Sequence, residues 1–171
     1  MNGKLVGLIV LGVALLFGAV VYYTQVYYYY TELPESEAQV LLTPLDGAEP
    51  EPLAIAAFQG IDATSSPIRY RACFTTEETP QALAQRYAPY PGAVPRNAPG
   101  WFDCFDAAAI GAMIDSGEAT VFTGQRNIEY GIDRVVAITS DGRGFVWEEI
   151  NDCGDKAYDG TPLGDDCPPQ E

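Results

Sequence analysis

The sequence predicts an α+β protein, in which one N-terminal transmembrane helix is followed by a small disulfide-stapled domain with a mostly antiparallel sheet and two helices. Three observations lead to this prediction. An apolar segment covers residues 5–21, a hairpin signal surrounds Asp141-Gly142, and four cysteines follow the apolar segment. Because 171 residues leave room for one small domain, we divide the chain into an anchor with its interface (1–30), a linker (31–52) and a domain (53–171).

The apolar segment is the first element. Residues 5–21 contain no charged or strongly polar side chain, and one helix continued through Tyr30 would be about 39 Å long, enough to cross a hydrocarbon core of about 30 Å. A cleaved signal peptide is the competing interpretation, but it needs small residues before a polar mature start. This segment ends in bulky Val and Tyr residues instead, which favours a membrane anchor.

The flanking charges predict the direction of this helix. Lys4 and the terminal amine precede it, and no further Lys or Arg occurs before Arg69. Because positive flanks remain on the cytoplasmic side, we expect the N-terminus in the cytoplasm and the domain outside it.

Small residues mark one side of the helix. They are spaced by four, seven and four positions: Gly3, Gly7, Ala14 and Gly18. Since close packing holds helices together in lipid, this side is a candidate seam for a partner helix of an integral membrane protein complex. The alternative is that glycine is simply frequent in membrane helices.

A tyrosine cluster follows the apolar segment. Its members are Tyr22, Tyr23, Tyr27, Tyr28, Tyr29 and Tyr30. A phenol ring is apolar in its body and polar at its hydroxyl, so these residues predict a belt at the outer interface of the lipid bilayer. The alternative is an aromatic wall for a lipid-soluble ligand, such as a quinone or pigment, or for a neighbouring helix.

The part of the chain beyond Tyr30 is strongly acidic. It contains all 24 acidic residues and eight of the nine basic ones, and therefore has a formal charge of −16. This charge repels nucleic acid, which we exclude as a partner, and attracts cationic partners such as a basic periplasmic carrier protein. The alternative is that the charge serves solubility or adaptation to salt.

Two strands and two helices are predicted before the hairpin. Alternation of apolar and polar residues indicates a half-buried strand at 68–75, and a second strand covers 118–124. Thr79 and Pro80 predict the start of a short helix over residues 81–88. Helical spacing of apolar residues predicts a helix at 103–116, with Asp103 and Asp106 as a capping box. The proline-rich stretch 89–100 between them is a loop and a candidate contact surface.

The hairpin is the clearest local structure. Asp141-Gly142 favours a two-residue type I′ turn between strands at 132–140 and 143–150. The resulting register pairs Ile138 with Phe145, Val136 with Trp147, and Arg134 with Glu149.

The four cysteines predict two disulfide bonds, since they lie in the part of the chain expected outside the cytoplasm. Of the three possible pairings we favour Cys73–Cys104, which ties a strand to a helix start, with Cys153–Cys167, which closes a C-terminal loop. No two cysteines are spaced as C-x-x-C. The acidic residues of 151–166 lack the spacing of a calcium loop and indicate a solvated surface.

Catalytic motifs are missing from the sequence. There is no histidine, only two lysines, and no G-x-S-x-G, P-loop or dinucleotide-binding glycine pattern. We therefore predict a protein that is not an enzyme, with no cofactor and no metal.

The segments MNGKLVG, YYTQVY and FQGIDATSSPIRYRACFTT resemble a family of small, uncharacterised single-pass membrane proteins of alphaproteobacteria. The resemblance implies a bacterial inner membrane and a periplasmic domain, and it implies no established activity. Members are sometimes labelled histidine kinase, a label that this sequence contradicts because it has no histidine and no nucleotide-binding motif.

Three functional hypotheses follow. The leading one is a non-catalytic accessory or structural subunit of an inner-membrane complex, such as an electron-transfer complex, which docks through the helix seam and the acidic domain. The alternatives are a transient assembly factor for such a complex and a periplasmic ligand-binding or sensing module.

Overall fold

The N-terminal helix stands apart from the rest of the protein. The computed structural model describes residues 2–164 and 167–168, and it places helix α1 at Gly3–Tyr23. The Asn2 side chain caps its start by accepting a hydrogen bond from the Lys4 amide. None of its residues is buried, and the segment Gly3–Tyr28 is long and apolar enough to cross a membrane. The expected apolar helix is therefore present, and no other described part of the protein buries any of its residues.

The helix does not continue in one conformation to Tyr30. Its last turn, Thr24–Tyr28, is a π-helix, and the chain enters strand β1 (Thr31–Leu33) immediately afterwards. The prediction of a single helix through Tyr30 is wrong in this respect, because the chain must turn there to join the sheet.

A sheet of antiparallel strands forms the body of the domain. The further strands are β2 (Leu41–Leu42), β3 (Glu51–Pro52), β4 (Ala56–Asp62), β5 (Arg71–Thr75), β6 (Ala119–Glu129), β7 (Ile132–Thr139) and β8 (Arg143–Ile150). Within the described residues, six strands pair in the order β1-β4-β5-β8-β7-β6, and β2 pairs with β3 in a separate ribbon. The predicted α+β class with a mostly antiparallel sheet is confirmed.

Two short α-helices accompany the sheet in the described residues, beside a 3-10 turn at Glu35–Glu37. They are α2 (Pro80–Leu83), capped by Thr79, and α3 (Ala107–Asp115), capped by Asp106. Asp106 accepts hydrogen bonds from the amides of residues 108 and 109. The prediction of a capping box with Asp103 is therefore wrong, and α3 begins four residues later than predicted. The helix ends before Gly117, which has a φ of +76°.

The sheet is buried on both faces. Phe74, Val136 and Val146 belong to the core on one face, together with Leu42 and Leu83 from the elements that cover it. The opposite face carries a second core that lies under α3 and the proline-rich loop: Ile61, Cys73, Phe105, Ile110, Val135, Ala137, Phe145 and Trp147. Burial on both faces explains why the strands contain few exposed positions.

The hairpin register differs by one residue from the prediction. Ala137 pairs with Phe145, Val136 with Val146 and Val135 with Trp147. The loop therefore has three residues, with Gly142 at a φ of +85° in the left-handed position. Because a one-residue shift exchanges the faces of a strand, the predicted pairing of Val136 with Trp147 is wrong, and these two residues belong to different cores.

The segment 31–52 is packed into the domain. β1 pairs with β4, and Val40 and Leu42 are buried in the first core. Composition predicts a linker here, but these residues contribute three short strands, β1, β2 and β3, and two core side chains.

Candidate functional site at the helix–domain junction

The C-terminal end of the apolar helix is attached to the domain by Trp101. Its indole Nε1 donates a hydrogen bond of 2.7 Å to the Val26 carbonyl, which lies in the π-helical turn. Its ring stacks on Tyr27 at a centroid distance of 6.4 Å and meets Tyr30 edge to face at 6.0 Å. Carbonyls in the last turn of a helix lack intrahelical partners, so Trp101 satisfies one of them and holds the helix end against the domain.

A second contact at the junction comes from Arg69. One guanidinium nitrogen donates a hydrogen bond of 2.9 Å to the Gln25 side chain, and the guanidinium carbon lies 5.6 Å from the centre of the Tyr30 ring. Two different loops of the domain therefore contact the same turn of the helix end, which restrains the angle between helix and domain.

The proline-rich loop that leads to Trp101 is shaped by buried charged residues. Arg71 is 4% exposed and donates hydrogen bonds to the carbonyls of Arg96 (2.8 Å) and Asn97 (3.2 Å). Glu149, which is 6% exposed, accepts hydrogen bonds from the Val94 amide (2.5 Å) and the Trp147 indole (2.7 Å). These two side chains fix the course of the loop over the sheet.

Burial changes the protonation chemistry of Arg71. Desolvation lowers the pKa of this guanidinium to about 10, while Tyr30 and Glu148 oppose the shift. The group remains charged at neutral pH, and the backbone carbonyls that accept its hydrogen bonds stabilise the charge.

A second charged cluster lies in the other core. Arg134 forms an ion pair of 2.5 Å with Glu148, and its guanidinium lies 4.0 Å from the centre of the Tyr70 ring. Burial raises the pKa of Tyr70 to about 12 and also raises the pKa of Glu148, against the attraction of Arg134. The hairpin register predicts Glu149 as the partner of Arg134, and the structure assigns Glu148 instead.

The predicted seam residues lie on an exposed helix. Gly3, Gly7 and Gly18 have no other part of the protein within 4 Å of the position that a Cβ atom would occupy, and no residue of α1, including Ala14, is buried. The structure neither covers this side nor distinguishes it from the others, so the seam stays a prediction.

The six tyrosines divide into two groups. Tyr22, Tyr23 and Tyr28 are well exposed along the helix end, with Tyr29 more shielded at 40% exposure. Tyr27 and Tyr30 contact Trp101. The sequence indicates an interface belt for all six, whereas the structure gives two of them a contact with the domain.

The two disulfide bonds join the favoured partners, Cys73 with Cys104 and Cys153 with Cys167. Among the described residues, no group of three or more Cys, Asp or Glu side chains has an arrangement that could hold a metal ion. An open groove of about 610 Å³ lies between residues 54–56 and 75–78, and another of about 440 Å³ lies beside Arg134 and Glu148.

Sequence reasoning missed the central residues of this site. Trp101 lies 75 positions from Val26, and no local pattern connects the two. One signal was available, because Trp101 directly follows the proline-rich stretch 89–100, which is predicted as a candidate contact surface.

Fold and site together define a disulfide-bonded antiparallel domain carried by a single apolar N-terminal helix. No curated protein and no solved structure matches the chain. Residues 40–168 match the family of unknown function DUF6446, so the protein belongs to that family. The match begins after α1 and covers most of the domain. The candidate membrane helix and the disulfide-bonded domain are consistent with a membrane-anchored periplasmic protein.

Proposed function

We propose that the protein is a non-catalytic, single-pass subunit of a bacterial inner-membrane complex, with its N-terminus in the cytoplasm and its acidic domain in the periplasm. The observation that carries this proposal is the joint between an entirely exposed apolar helix and a domain held at its end by Trp101. A flexible tether would suffice to retain a domain at a membrane. A restrained joint sets the domain in one orientation over whatever the helix contacts.

The helix and the domain would each supply one part of the interface. Small residues allow helix backbones to approach closely in lipid, and the side with Gly7 and Gly18 is available because nothing in the described protein covers it. The domain adds a formal charge of −16, which would steer a cationic carrier protein toward an electron-transfer complex.

The test is native purification of the tagged full-length protein from its own membranes in mild detergent, with mass spectrometry of the co-migrating proteins. We expect stoichiometric recovery within one large complex. Recovery only with immature complexes would indicate a transient assembly factor instead. Recovery of the protein without any partner would contradict the subunit proposal and favour a ligand-binding or sensing module.

Glycine substitutions provide a matched comparison. Gly7→Leu/Gly18→Leu fills the proposed seam, and we expect it to reduce co-purification of the partner. Gly12→Leu introduces the same side chain on the other side of the helix, about 150° from the centre of the seam at roughly 100° per residue. Gly12 is equally uncovered, so an equal loss in both variants would contradict the seam.

A further inference from the structure

The arginines of the domain fall into two groups. Arg86, Arg126, Arg134 and Arg143 each form an ion pair with a carboxylate. Among the described residues, Arg69, Arg71 and Arg96 form none. Because the acidic domain offers many carboxylates, three arginines that form no ion pair with any of them are unusual.

These three arginines are neighbours. Arg71 donates hydrogen bonds to the backbone carbonyls of Arg96 (2.8 Å) and Ile68 (2.9 Å), which fixes it between the loop of Arg96 and the loop of Arg69. Arg71 itself is buried and its donors are used inside the protein. Arg69 is half-buried, and Arg96 is exposed. Arg69 and Arg96 are therefore the two that an outside ligand could contact.

The helix sets the height of this group relative to a membrane. Arg69 donates a hydrogen bond to Gln25, and the rise from Lys4 to Gln25 is about 32 Å at ~1.5 Å per residue. The hydrocarbon core is about 30 Å thick, and each headgroup layer adds roughly 5–8 Å. With Lys4 at the cytoplasmic interface, Gln25 and the guanidinium of Arg69 reach the level of the outer headgroups.

Among the described residues, neither Arg69 nor Arg96 has its charge balanced by a carboxylate. The Nη2 of Arg69 donates to Gln25, and its Nη1 is buried without an acceptor among these residues, so Arg69 would act on an outside ligand mainly through its charge. Arg96 is exposed, and its guanidinium suits phosphate because planar donors match two oxygens at once.

We propose that Arg69 and Arg96 bind the phosphate of an anionic lipid headgroup, so that the domain rests on the outer surface of the membrane at this edge. The domain as a whole repels anionic lipid through its net charge, and this edge would be the place where it is attracted. Tyr30 lies against Arg69 and meets Trp101 edge to face, and such aromatic side chains suit the same interfacial layer. The inference depends on the membrane insertion of α1 and does not depend on a partner complex.

The experiment uses the full-length protein in nanodiscs of phosphatidylcholine and phosphatidylglycerol in equal amounts. Native mass spectrometry then counts the lipid molecules that stay bound to the protein after it is released from the nanodisc. We expect the wild-type protein to retain phosphatidylglycerol preferentially. Arg69→Gln/Arg96→Gln should lower this preference by roughly fivefold for each arginine removed. Arg69→Lys/Arg96→Lys preserves both charges and should retain most of it.

The matched control is Arg86→Gln/Arg143→Gln. It also removes two positive charges, but from arginines that form ion pairs elsewhere in the domain. An equal preference in wild type and Arg69→Gln/Arg96→Gln would overturn the proposal. So would displacement of the lipid by excess glycerol phosphate, since the ligand would then be a soluble phosphate. A helix that fails to insert would leave the nanodisc fraction altogether, which separates failure of the anchor from failure of this site.

Discussion

The attachment of the helix to the domain by Trp101 can be tested by graded substitution. Trp101→Phe keeps an aromatic ring and removes the indole N–H that bonds to Val26 at 2.7 Å. A neutral hydrogen bond contributes about 1 kcal/mol net, so the docked population should fall by about fivefold relative to the undocked one. Trp101→Ala also removes the contacts with Tyr27 and Tyr30. At about 0.5–1.5 kcal/mol for each ring pair, its total cost is about 2–4 kcal/mol.

The assay is the distance distribution between spin labels on the helix and the domain, measured on the full-length protein in nanodiscs. Labels at Leu16→Cys and Glu77→Cys occupy exposed positions, and among the described residues every native cysteine is in a disulfide bond. We expect one narrow peak for the wild type, a minor second population for Trp101→Phe, and a broad distribution for Trp101→Ala.

The control is Tyr158→Ala, which removes an exposed aromatic side chain far along the chain from the junction. It should leave the distribution narrow. A wild-type distribution as broad as that of Trp101→Ala would refute the restrained joint, because the contacts of Trp101 would then contribute nothing to the orientation. The same result would also remove the main support for an oriented subunit.

Three further predictions concern the domain. Cys73→Ala/Cys104→Ala opens a loop with a separation of 31 residues and should lower the free energy of unfolding in urea by about 4 kcal/mol on the chain-entropy model; an unchanged midpoint would contradict it. Burial raises the pKa of Glu148 above its ordinary value of 4.5, so its contribution to stability is full below that pH and is lost as the pH rises through the folded-state pKa. Glu148→Gln should therefore gain stability relative to the wild type as the pH rises above 4.5 in a series of urea titrations, and a constant difference would exclude this reasoning. Gly142→Ala should destabilise by about 2 kcal/mol or more, because φ is +85° and the added methyl would lie 2.5 Å from a backbone oxygen. Gly111→Ala, which meets nothing within 4 Å in helix α3, should instead stabilise by about 0.5–1 kcal/mol; thermal unfolding should shift in opposite directions for the two.

Local signals predicted the elements that depend on neighbours in sequence. The apolar run of α1, the Thr79 cap of α2 and the turn at Asp141-Gly142 are all present. The hairpin register was wrong because the same dipeptide occurs in two-residue and three-residue loops. Side-chain pattern could not choose between them, since both faces of the hairpin carry apolar residues and both are buried.

Strands with irregular sequence escaped prediction. β4 was missed because Gly60 interrupts it and a bulge lies between Ala56 and Gln59, where Ala57 has a φ of +50°. In β5 the alternation predicts Arg71 on an exposed face, but loop 89–100 covers that face and uses the guanidinium to bind its carbonyls. Neither feature is visible until distant segments are placed together.

The sequence by itself determined an apolar helix, a cysteine-containing antiparallel domain and a strong negative charge, because these depend on composition, periodicity and short-range turn chemistry. Only the tertiary structure decided how the helix meets the domain and which charged groups lie at that meeting point. Trp101 reaches Val26 and Arg69 reaches Gln25 across 75 and 44 positions of sequence. Such contacts arise from the packing of whole elements, which no local pattern encodes.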